Sequence, residues 1–193
     1  NEAEFTIDEM RLPGLWPRVC AVDTDIGTFA ALWAAYDRKA DTVYVYDAIE
    51  QARGPLAIHA EAVTRRGRWI PTIFDPKARN TRDEGLATAM HLIELGIDVQ
   101  TAEIDFTAAI DDIASRLATG RLKIFKTATQ WVSSYRRLGR GEKGEIAKEA
   151  DHLMRATALM IMRGIGIAIT ENHATELNED YIEVGGRSEI TGY

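Results

Sequence analysis

Three aspartates stand at comparable positions along the chain, each beside a predicted apolar segment. Asp23 follows the apolar run 18–22, Asp75 follows the run 69–74, and Asp151 lies beside the apolar face of the last predicted helix. Carboxylate oxygens are the ligands that hard divalent cations prefer. Two such ions can hold the attacking and leaving oxygens of a phosphodiester during in-line displacement. The three positions therefore predict a metal site, assembled from separate parts of the chain, that hydrolyses phosphodiesters.

Asp23 and Asp75 each have a simpler explanation as turn residues. Asp23 opens a turn-rich sequence that continues through Asp25 to Gly27, and Asp75 precedes Pro76, where a local Asx-turn is usual. An unpaired carboxylate at the end of a buried strand is costly, which favours a cation at Asp23. From the residues alone, both explanations stay open for each aspartate.

The helix that contains Asp151 has a phase that can be calculated. At about 100° per residue, the apolar side chains of a helix over 145–162 cluster around one direction, and Asp151 lies roughly 100° from it. Asp151 is therefore predicted at the boundary of the core, able to reach a cleft beside the sheet. His152 falls nearly opposite the core and is predicted to face solvent. Whether Asp25 or His152 assists the metal site stays open.

The net charge of −7 argues against a strong general affinity for nucleic acid, which requires a basic surface. The basic residues are, however, concentrated: the segment 116–148 contains nine of them and only two acidic residues. A solvated helical face explains such a run, but Phe125, Trp131 and Tyr135 are interleaved with the cations, as in surfaces that follow a nucleic-acid backbone.

Lys77 and Arg79 follow Asp75 closely enough to contact a scissile phosphate, although they could equally well be solvated side chains of a loop. With the basic segment they give the predicted DNA-binding set: Lys77, Arg79, Arg121, Lys123, Lys126, Arg136, Arg137, Arg140 and Lys143.

Composition and motifs exclude several classes of protein. The single Cys20 lies in an apolar strand, so no intramolecular disulfide forms and a buried thiol in a reducing compartment is expected. No stretch of about 18 apolar residues predicts a membrane span, and no signal peptide is recognisable. Neither a Gly-x-x-x-x-Gly-Lys-Ser/Thr loop nor a Gly-x-Ser-x-Gly elbow is present, which excludes a P-loop ATPase and that type of hydrolase.

The elements that must position these residues form a mixed pattern. Three consecutive strands joined by turns predict an antiparallel meander, and the following segments alternate between helix and strand. The fold class is therefore α/β, with a mixed sheet of meander and parallel strands flanked by helices. The strands are predicted at 18–24, 28–36, 42–49, 69–74, 97–101 and 121–125. The helices are predicted after Pro55 and at 83–95, 107–118, 127–138 and 145–162.

Three regions are predicted along the chain. Residues 1–17 contain Pro13-Gly14 and Pro17 without a steady period, so they are predicted to connect to another part of a protein. Residues 18–163 form the domain. The glycine-rich residues 164–193 are predicted to be a C-terminal tail that is flexible or binds a partner.

Four motifs in this order resemble a known family. They are Val22-Asp23, Ile73-Phe74-Asp75-Pro76, Gly120–Phe125 and Ala150–Ala156. The chain resembles, over about 18–162, the C-terminal nuclease domain of tailed-phage terminase large subunits, which has an RNase H-like fold. The resemblance implies a two-metal endonuclease that cleaves double-stranded DNA during genome packaging. The residues 1–17 would then be the remnant of the connection to the ATPase domain.

The resemblance also implies a site and its partners. Asp23, Asp75 and Asp151 would bind two Mg²⁺ or Mn²⁺ ions, with Asp23 bridging them. The last helix of the family often carries a second aspartate, where this chain has Arg155. The implied partners are double-stranded DNA, the terminase ATPase domain of a full-length chain, the portal and the small terminase subunit, in the host cytoplasm.

Two other functions stay open. The sequence Asp25-Ile26-Gly27-Thr28 is similar to the phosphate-binding hairpin of an actin-like or sugar-kinase-type ATPase, although such enzymes need a second lobe of similar size. A non-catalytic RNase H-like interaction module, in which the carboxylates only cap strands, is the other alternative.

Overall fold

The computed structural model describes residues 2–25, 27–77, 81–138 and 151–177 of the chain. A sheet of seven strands has the order β1-β7-β4-β3-β2-β5-β6. Its strands are β1 Thr6–Ile7, β2 Arg18–Thr24, β3 Thr28–Asp37, β4 Thr42–Ala52, β5 Thr72–Phe74, β6 Val99–Thr101 and β7 Leu122–Phe125. The sheet is mixed: β2, β3 and β4 form an antiparallel meander, and the other neighbouring pairs are parallel. The predicted fold class is confirmed.

Helices cover both faces of this sheet. They are α1 Glu2–Phe5, α2 Leu56–Thr64, α3 Arg82–Glu94, α4 Phe106–Ala118, α5 Thr129–Leu138, α6 His152–Leu159 and α7 Ile165–Ile167, with a π-helical turn Met160–Gly164 between the last two. Residues 171–177 are also helical. No described helix has the length and apolar character needed to cross a membrane.

Two apolar clusters explain why the central strands are almost continuously hydrophobic. Alternate residues of β2 point to opposite faces, with Val19 and Ala21 packed in one cluster and Cys20 and Val22 in the other. The first cluster is closed by α4, α5 and α6, and the second by α2 and α3. Because both faces are covered, a strand in the middle of the sheet buries nearly every side chain. The face covered by α6 is the one on which the odd-numbered residues of β2 lie.

Most predicted elements are present with small shifts at their ends. The strand predicted at 69–74 is confined to Thr72–Phe74, since Pro71 lacks the N–H that a central strand needs. The helices predicted to stop at Gly96 and Gly120 do so, and both glycines adopt the left-handed conformation, with φ of 87° and 72°. The described part of the last predicted helix begins at His152, and residues 145–150 lie outside the described chain.

The two ends of the chain contribute to the fold. Thr6 and Ile7 pair in parallel with β7, and Phe5 is buried against Trp131 in an edge-to-face contact. In the region predicted as a tail, Ala168 is buried and Ile169 pairs with Arg18. The connection of residues 1–17 to another domain remains a prediction, and 178–193 lie outside the described residues.

Candidate metal centre

Asp23 and Asp75 lie side by side at the carboxyl ends of two adjacent strands. β2 and β5 are parallel, and Val22 is the partner of Phe74, so the residues that follow them are neighbours across a strand spacing of about 4.8 Å. Both carboxylates are buried, with 2% and 6% of the residue exposed. The sheet therefore brings together two of the three aspartates predicted from the sequence. We call Asp23 and Asp75, with the contacting Asp25, His152 and Arg155, the candidate metal centre.

The Asp75 carboxylate is held by backbone amides. Its Oδ1 accepts a hydrogen bond from Lys77 N at 2.9 Å, and its Oδ2 accepts one from Ile104 N at 3.4 Å. The first bond is the local turn contact expected for an aspartate before proline. Each carboxylate oxygen has a further lone pair, so these bonds orient Asp75 without preventing it from binding a cation. The turn explanation and the metal-binding explanation are thus compatible at this position.

His152 contacts the Asp23 carboxylate. Its Nδ1 lies 2.6 Å from Asp23 Oδ2, and its Nε2 lies 3.4 Å from Asp25 Oδ2. Because a carboxylate oxygen only accepts, the Nδ1 donates to Asp23. The prediction that His152 faces solvent is wrong, as only 8% of the residue is exposed. The reason is that α6 lies between the sheet and neighbouring helices and has no solvent-facing side at its first residue.

Asp25 follows the end of β2 and turns its side chain back to the loop. Its Oδ1 accepts hydrogen bonds from Gly27 N at 2.7 Å and from Thr28 N at 2.8 Å. The strand ends at Thr24, as the glycine at position 27 indicated. These two amides are the ones that a phosphate-binding hairpin would need, and they already bind a carboxylate.

Arg155 is the positively charged neighbour of Asp23. Its Nε lies 3.7 Å from Asp23 Oδ1, and its guanidinium carbon lies 5.2 Å from the centroid of the Phe106 ring. The aromatic face and the carboxylate both attract a guanidinium, so they fix its position. The two oxygens of Asp23 therefore face different partners, His152 on one side and Arg155 on the other.

Asp151 is the N-cap of α6 and is not part of the helix. Its backbone is extended at ψ 144°, and its Oδ1 accepts a hydrogen bond from Leu153 N at 3.2 Å. The helix phase calculated for it therefore does not apply. Its Oδ2 forms an ion pair with Arg137, whose Nε donates at 2.8 Å. The described contacts of this carboxylate are thus with Arg137 and with the first turn of α6, and its role as a metal ligand stays a prediction.

Glu50 is an acidic residue of this region that the sequence interpretation missed. Asp23 pairs with Ala30, and Ala30 pairs with Glu50, so both carboxylates lie in one row across the meander. Arg137 bridges Glu50, at 3.2 Å, to Asp151. Burial and the nearby negative charge of Asp151 raise the pKa of Glu50. Counting the register of the predicted meander would not have identified it, because a bulge between Trp33 and Ala34 shifts the pairing by one residue.

Replacing Arg137 by Gln is expected to make stability less dependent on pH. Partial burial opposes ionisation of Asp151, but its neighbours Ser134 and Arg137 outweigh this and lower its pKa. A lowered pKa stabilises the fold above the unfolded-state pKa of about 3.9, and this contribution is lost as the pH falls through the folded-state value. Since Arg137 is largely exposed, we expect R137Q to lose about 1 kcal/mol at pH 7.

Urea unfolding at pH 7 and below pH 3 measures this effect. The difference between R137Q and the parent protein should shrink as the pH falls through the lowered pKa of Asp151, because the carboxylate loses its charge there. Arg65→Gln, at an exposed position after α2, is the matched control and should leave the pH dependence unchanged. An R137Q deficit that is equal at both pH values would contradict the assignment to Asp151.

The predicted DNA-binding cations divide into groups. Lys77 is next to the candidate metal centre, where its Nζ pairs with Glu103 at 2.6 Å. Lys126 lies past the carboxyl end of β7, at the same end of the sheet, and pairs with Asp8 at 2.7 Å. Arg121 lies at the opposite end of the sheet, paired with Asp41 at 2.9 Å. Their role in binding DNA stays a prediction.

The other predicted cations also have acidic or carbonyl partners where they are described. Lys123 donates to Glu4 O at 3.1 Å, Arg136 pairs with Glu2, and Arg137 pairs with Asp151. Thus the positive charge of 116–148 is partly balanced by carboxylates elsewhere in the chain. Arg79, Arg140 and Lys143 lie outside the described residues.

The centre as it stands is not a complete set of metal ligands. Within residues 2–25, 27–77, 81–138 and 151–177, no three His, Cys, Asp or Glu side chains are grouped so as to hold a metal ion. Asp23 and Asp75 supply hard oxygen donors that suit Mg²⁺ or Mn²⁺, and further ligands would come from water or substrate, as is common for Mg²⁺.

Comparison with solved structures shows which proteins share this fold. The nuclease domain of the P22 large terminase has a TM-score of 0.78 at 17% identity, over 90% of this chain and 94% of that domain. The large terminase of a thermophilic bacteriophage, in complex with ATP-γ-S, has a TM-score of 0.68 at 16% identity, over 83% of this chain. This chain spans only 43% of that thermophilic phage protein.

Related nuclease domains were solved with manganese. The domain of the bacteriophage SPP1 large terminase with bound Mn has a TM-score of 0.54 at 14% identity, over 77% of this chain and 85% of that domain. No family model matches the sequence. No curated protein matches it either. The resemblance read from the four motifs is therefore confirmed through the fold, which this chain shares with terminase large-subunit nuclease domains.

Proposed function

We propose that this chain is a divalent-metal-dependent endonuclease that cleaves double-stranded DNA during viral genome packaging. The observation that carries the proposal is the buried pair Asp23 and Asp75 on adjacent parallel strands. The same fold occurs in a terminase nuclease domain with bound Mn. Two buried carboxylates side by side repel each other, and a cation between them relieves this repulsion.

Asp23 and Asp75 are the residues that would hold the cation. A bound Mg²⁺ or Mn²⁺ would polarise the scissile phosphodiester and lower the pKa of a water molecule. The protein holds these two ligands in place: His152 donates to Asp23, and the amides of Lys77 and Ile104 donate to Asp75. The Lys77 side chain, beside Asp75, would bind a DNA phosphate.

A catalytic site with two metal ions would require a third carboxylate. Asp151 is the residue implied by the resemblance, and it would have to leave Arg137 to take part. Glu50 belongs to the same row of the sheet as Asp23 and is bridged to Asp151 through Arg137. The number of bound ions is therefore a separate hypothesis from metal dependence.

The partners belong to the same proposal. Double-stranded DNA would lie across the carboxyl ends of β2 and β5, and Lys126 lies at that end of the sheet. The large terminase of the thermophilic phage was solved in complex with ATP-γ-S, and this chain spans 43% of it, which supports a terminase ATPase domain as a partner in a full-length chain. Contacts with a portal and a small terminase subunit, in the host cytoplasm, follow from the same assignment.

Manganese is expected to stabilise the protein against heat. A ligand that binds only the folded state at 100 times its Kd adds about 2.7 kcal/mol, which raises the Tm of a chain of this size by roughly 5–10 °C. Thermal unfolding with MnCl₂, with EDTA and with NaCl of equal ionic strength measures the shift, and plasmid nicking under the same conditions measures activity. A shift with Mn²⁺ alone, accompanied by nicking, is the expected result.

A non-catalytic interaction module is the second candidate. It is favoured by one observation: Asp23 already contacts a histidine and an arginine within the protein. Absence of both the Mn²⁺ shift and plasmid nicking would support it. The third alternative, an actin-like or sugar-kinase-type ATPase fragment, is disfavoured because the amides of Gly27 and Thr28 already donate to Asp25. Tight binding of ATP would support it.

A further inference from the structure

Arg155 is a fixed positive charge within the candidate metal centre. Its Nε is buried, has no hydrogen-bond partner among the described residues, and lies 3.7 Å from Asp23 Oδ1. The Phe106 ring lies against its guanidinium. The side chain as a whole is 21% exposed, so the guanidinium is neither on the open surface nor free to move far from Asp23.

A second divalent cation at Asp23 would have to bind Oδ1, the oxygen that faces the Arg155 guanidinium. In a two-ion site the bridging carboxylate binds one ion through each oxygen, but Asp23 Oδ2 accepts from His152 and Oδ1 faces Arg155. An ion at Oδ1 would lie beside the Arg155 guanidinium, whose like charge repels it, whereas no cationic side chain with a fixed charge faces an ion bound between Asp23 and Asp75 in the contacts described above. The carboxylate that would complete a second site, Asp151, is paired with Arg137.

The charge of the centre also matches a single ion. The side chains of Asp23, Asp25, Asp75 and Arg155 together carry a formal net charge of −2. Lys77 and Glu103, paired at 2.6 Å, cancel each other. One divalent cation neutralises the centre, whereas two would leave an excess of positive charge even after a phosphodiester brings its own negative charge.

We infer that the candidate metal centre binds one divalent cation, between Asp23 and Asp75, and that Arg155 supplies the positive charge that a second ion would otherwise provide. This inference rests on the proposed function and deepens it. Beside a phosphodiester held at the centre, the guanidinium would stabilise the negative charge that develops during cleavage.

Isothermal titration of the whole chain with MnCl₂ tests the number of ions. The parent protein should bind one Mn²⁺. Arg155→Met, which removes the charge and keeps an extended apolar side chain, should still bind one but about tenfold more tightly, because the cation no longer meets a like charge. Arg155→Asp, which adds a carboxylate beside Asp23, should bind two. Arg163→Met, at an exposed position of the π-helical turn, is the matched control and should bind as the parent does.

Plasmid nicking distinguishes a charge that acts on the substrate from one that only packs. R155M should nick roughly 100-fold more slowly while its single Mn²⁺ remains bound, and Arg155→Lys should recover part of the rate. Two Mn²⁺ bound to the parent protein, or equal Mn²⁺ affinity in R155M and the parent, would overturn the inference while leaving a metal-dependent nuclease intact. No Mn²⁺ binding and no nicking by the parent would instead reject the proposed function. Circular dichroism of each variant verifies that it is folded.

Discussion

Replacing Asp23 by Asn is expected to lower plasmid nicking by roughly 1000-fold. Asp23 is the residue on which the contacts of the candidate metal centre converge, with His152 at 2.6 Å and Arg155 at 3.7 Å. The amide keeps the size of the side chain and loses the negative charge that a divalent cation requires. The Mn²⁺-induced rise in Tm should disappear together with activity.

The fold of this variant should persist. The asparagine Oδ1 can still accept from His152 Nδ1, so one hydrogen bond of the buried side chain is retained. Arg155 is partly exposed and can be hydrated after the charge of Asp23 is lost. Far-ultraviolet circular dichroism in the absence of metal should therefore match that of the parent protein.

Asp98→Asn is the matched control for this experiment. Asp98 is an exposed aspartate just before β6, at the end of the sheet away from Asp23 and Asp75. Its replacement should leave nicking and Mn²⁺ stabilisation unchanged. A D23N protein that is folded and still nicks at the parent rate would exclude Asp23 as a metal ligand and, with it, the proposed chemistry.

The position of Asp23 and Asp75 could be predicted because it depends on local patterns. An apolar run that ends at an aspartate marks the carboxyl end of a buried strand, and β2 and β5 both follow this pattern. Their adjacency follows from parallel pairing, which puts equivalent strand ends at one edge. The resemblance supplied the order of the elements, and the meander supplied the direction of each strand.

The surroundings of Asp23 could not be predicted in the same way. His152 and Arg155 reach it from α6, and His152 is 129 residues away in sequence; the side of a helix that meets a carboxylate depends on how the helix packs. His152 was predicted on the wrong side because α6 is buried almost all round, and an apolar pattern then no longer separates the buried face of a helix from its exposed face. Asp151 was also misplaced, because it is the capping residue before α6 and the helical phase calculated for it does not apply.

The wrong predictions for His152 and Asp151 have the same structural origin, the point at which α6 begins. The start of α6 is directed at Asp23, so its first turn supplies a histidine and an arginine to the centre, while the capping aspartate turns to Arg137. The charges around Asp23 are therefore set by where this helix begins.

Replacing Gly85 by Ala is expected to destabilise the protein by about 2–4 kcal/mol. Gly85 is buried in the first turn of α3, against the loop that follows Asp75. A Cβ atom added there would lie 1.8 Å from the Pro76 carbonyl oxygen and 2.6 Å from its carbonyl carbon. Because both atoms belong to the backbone, no side-chain rotation can relieve the overlap, so α3 and the loop must separate. The better helix propensity of alanine, worth up to about 1 kcal/mol, offsets only part of this cost.

The same substitution should weaken metal binding, because the displaced loop carries Asp75. The hydrogen bond from Lys77 N fixes the Asp75 carboxylate, and a shift of Pro76 moves its donor.

Gly166→Ala is the matched control: it makes the same change in α7, where an added Cβ has no atom within 4 Å, and should leave stability unchanged or slightly higher. Chemical denaturation gives the loss of stability, and Mn²⁺ titration below the unfolding transition gives the loss of affinity. If G85A were as stable as G166A and bound Mn²⁺ as tightly, the close packing of α3 on the Asp75 loop would be refuted, whereas lowered stability with unchanged affinity would show that Asp75 is positioned independently of that helix.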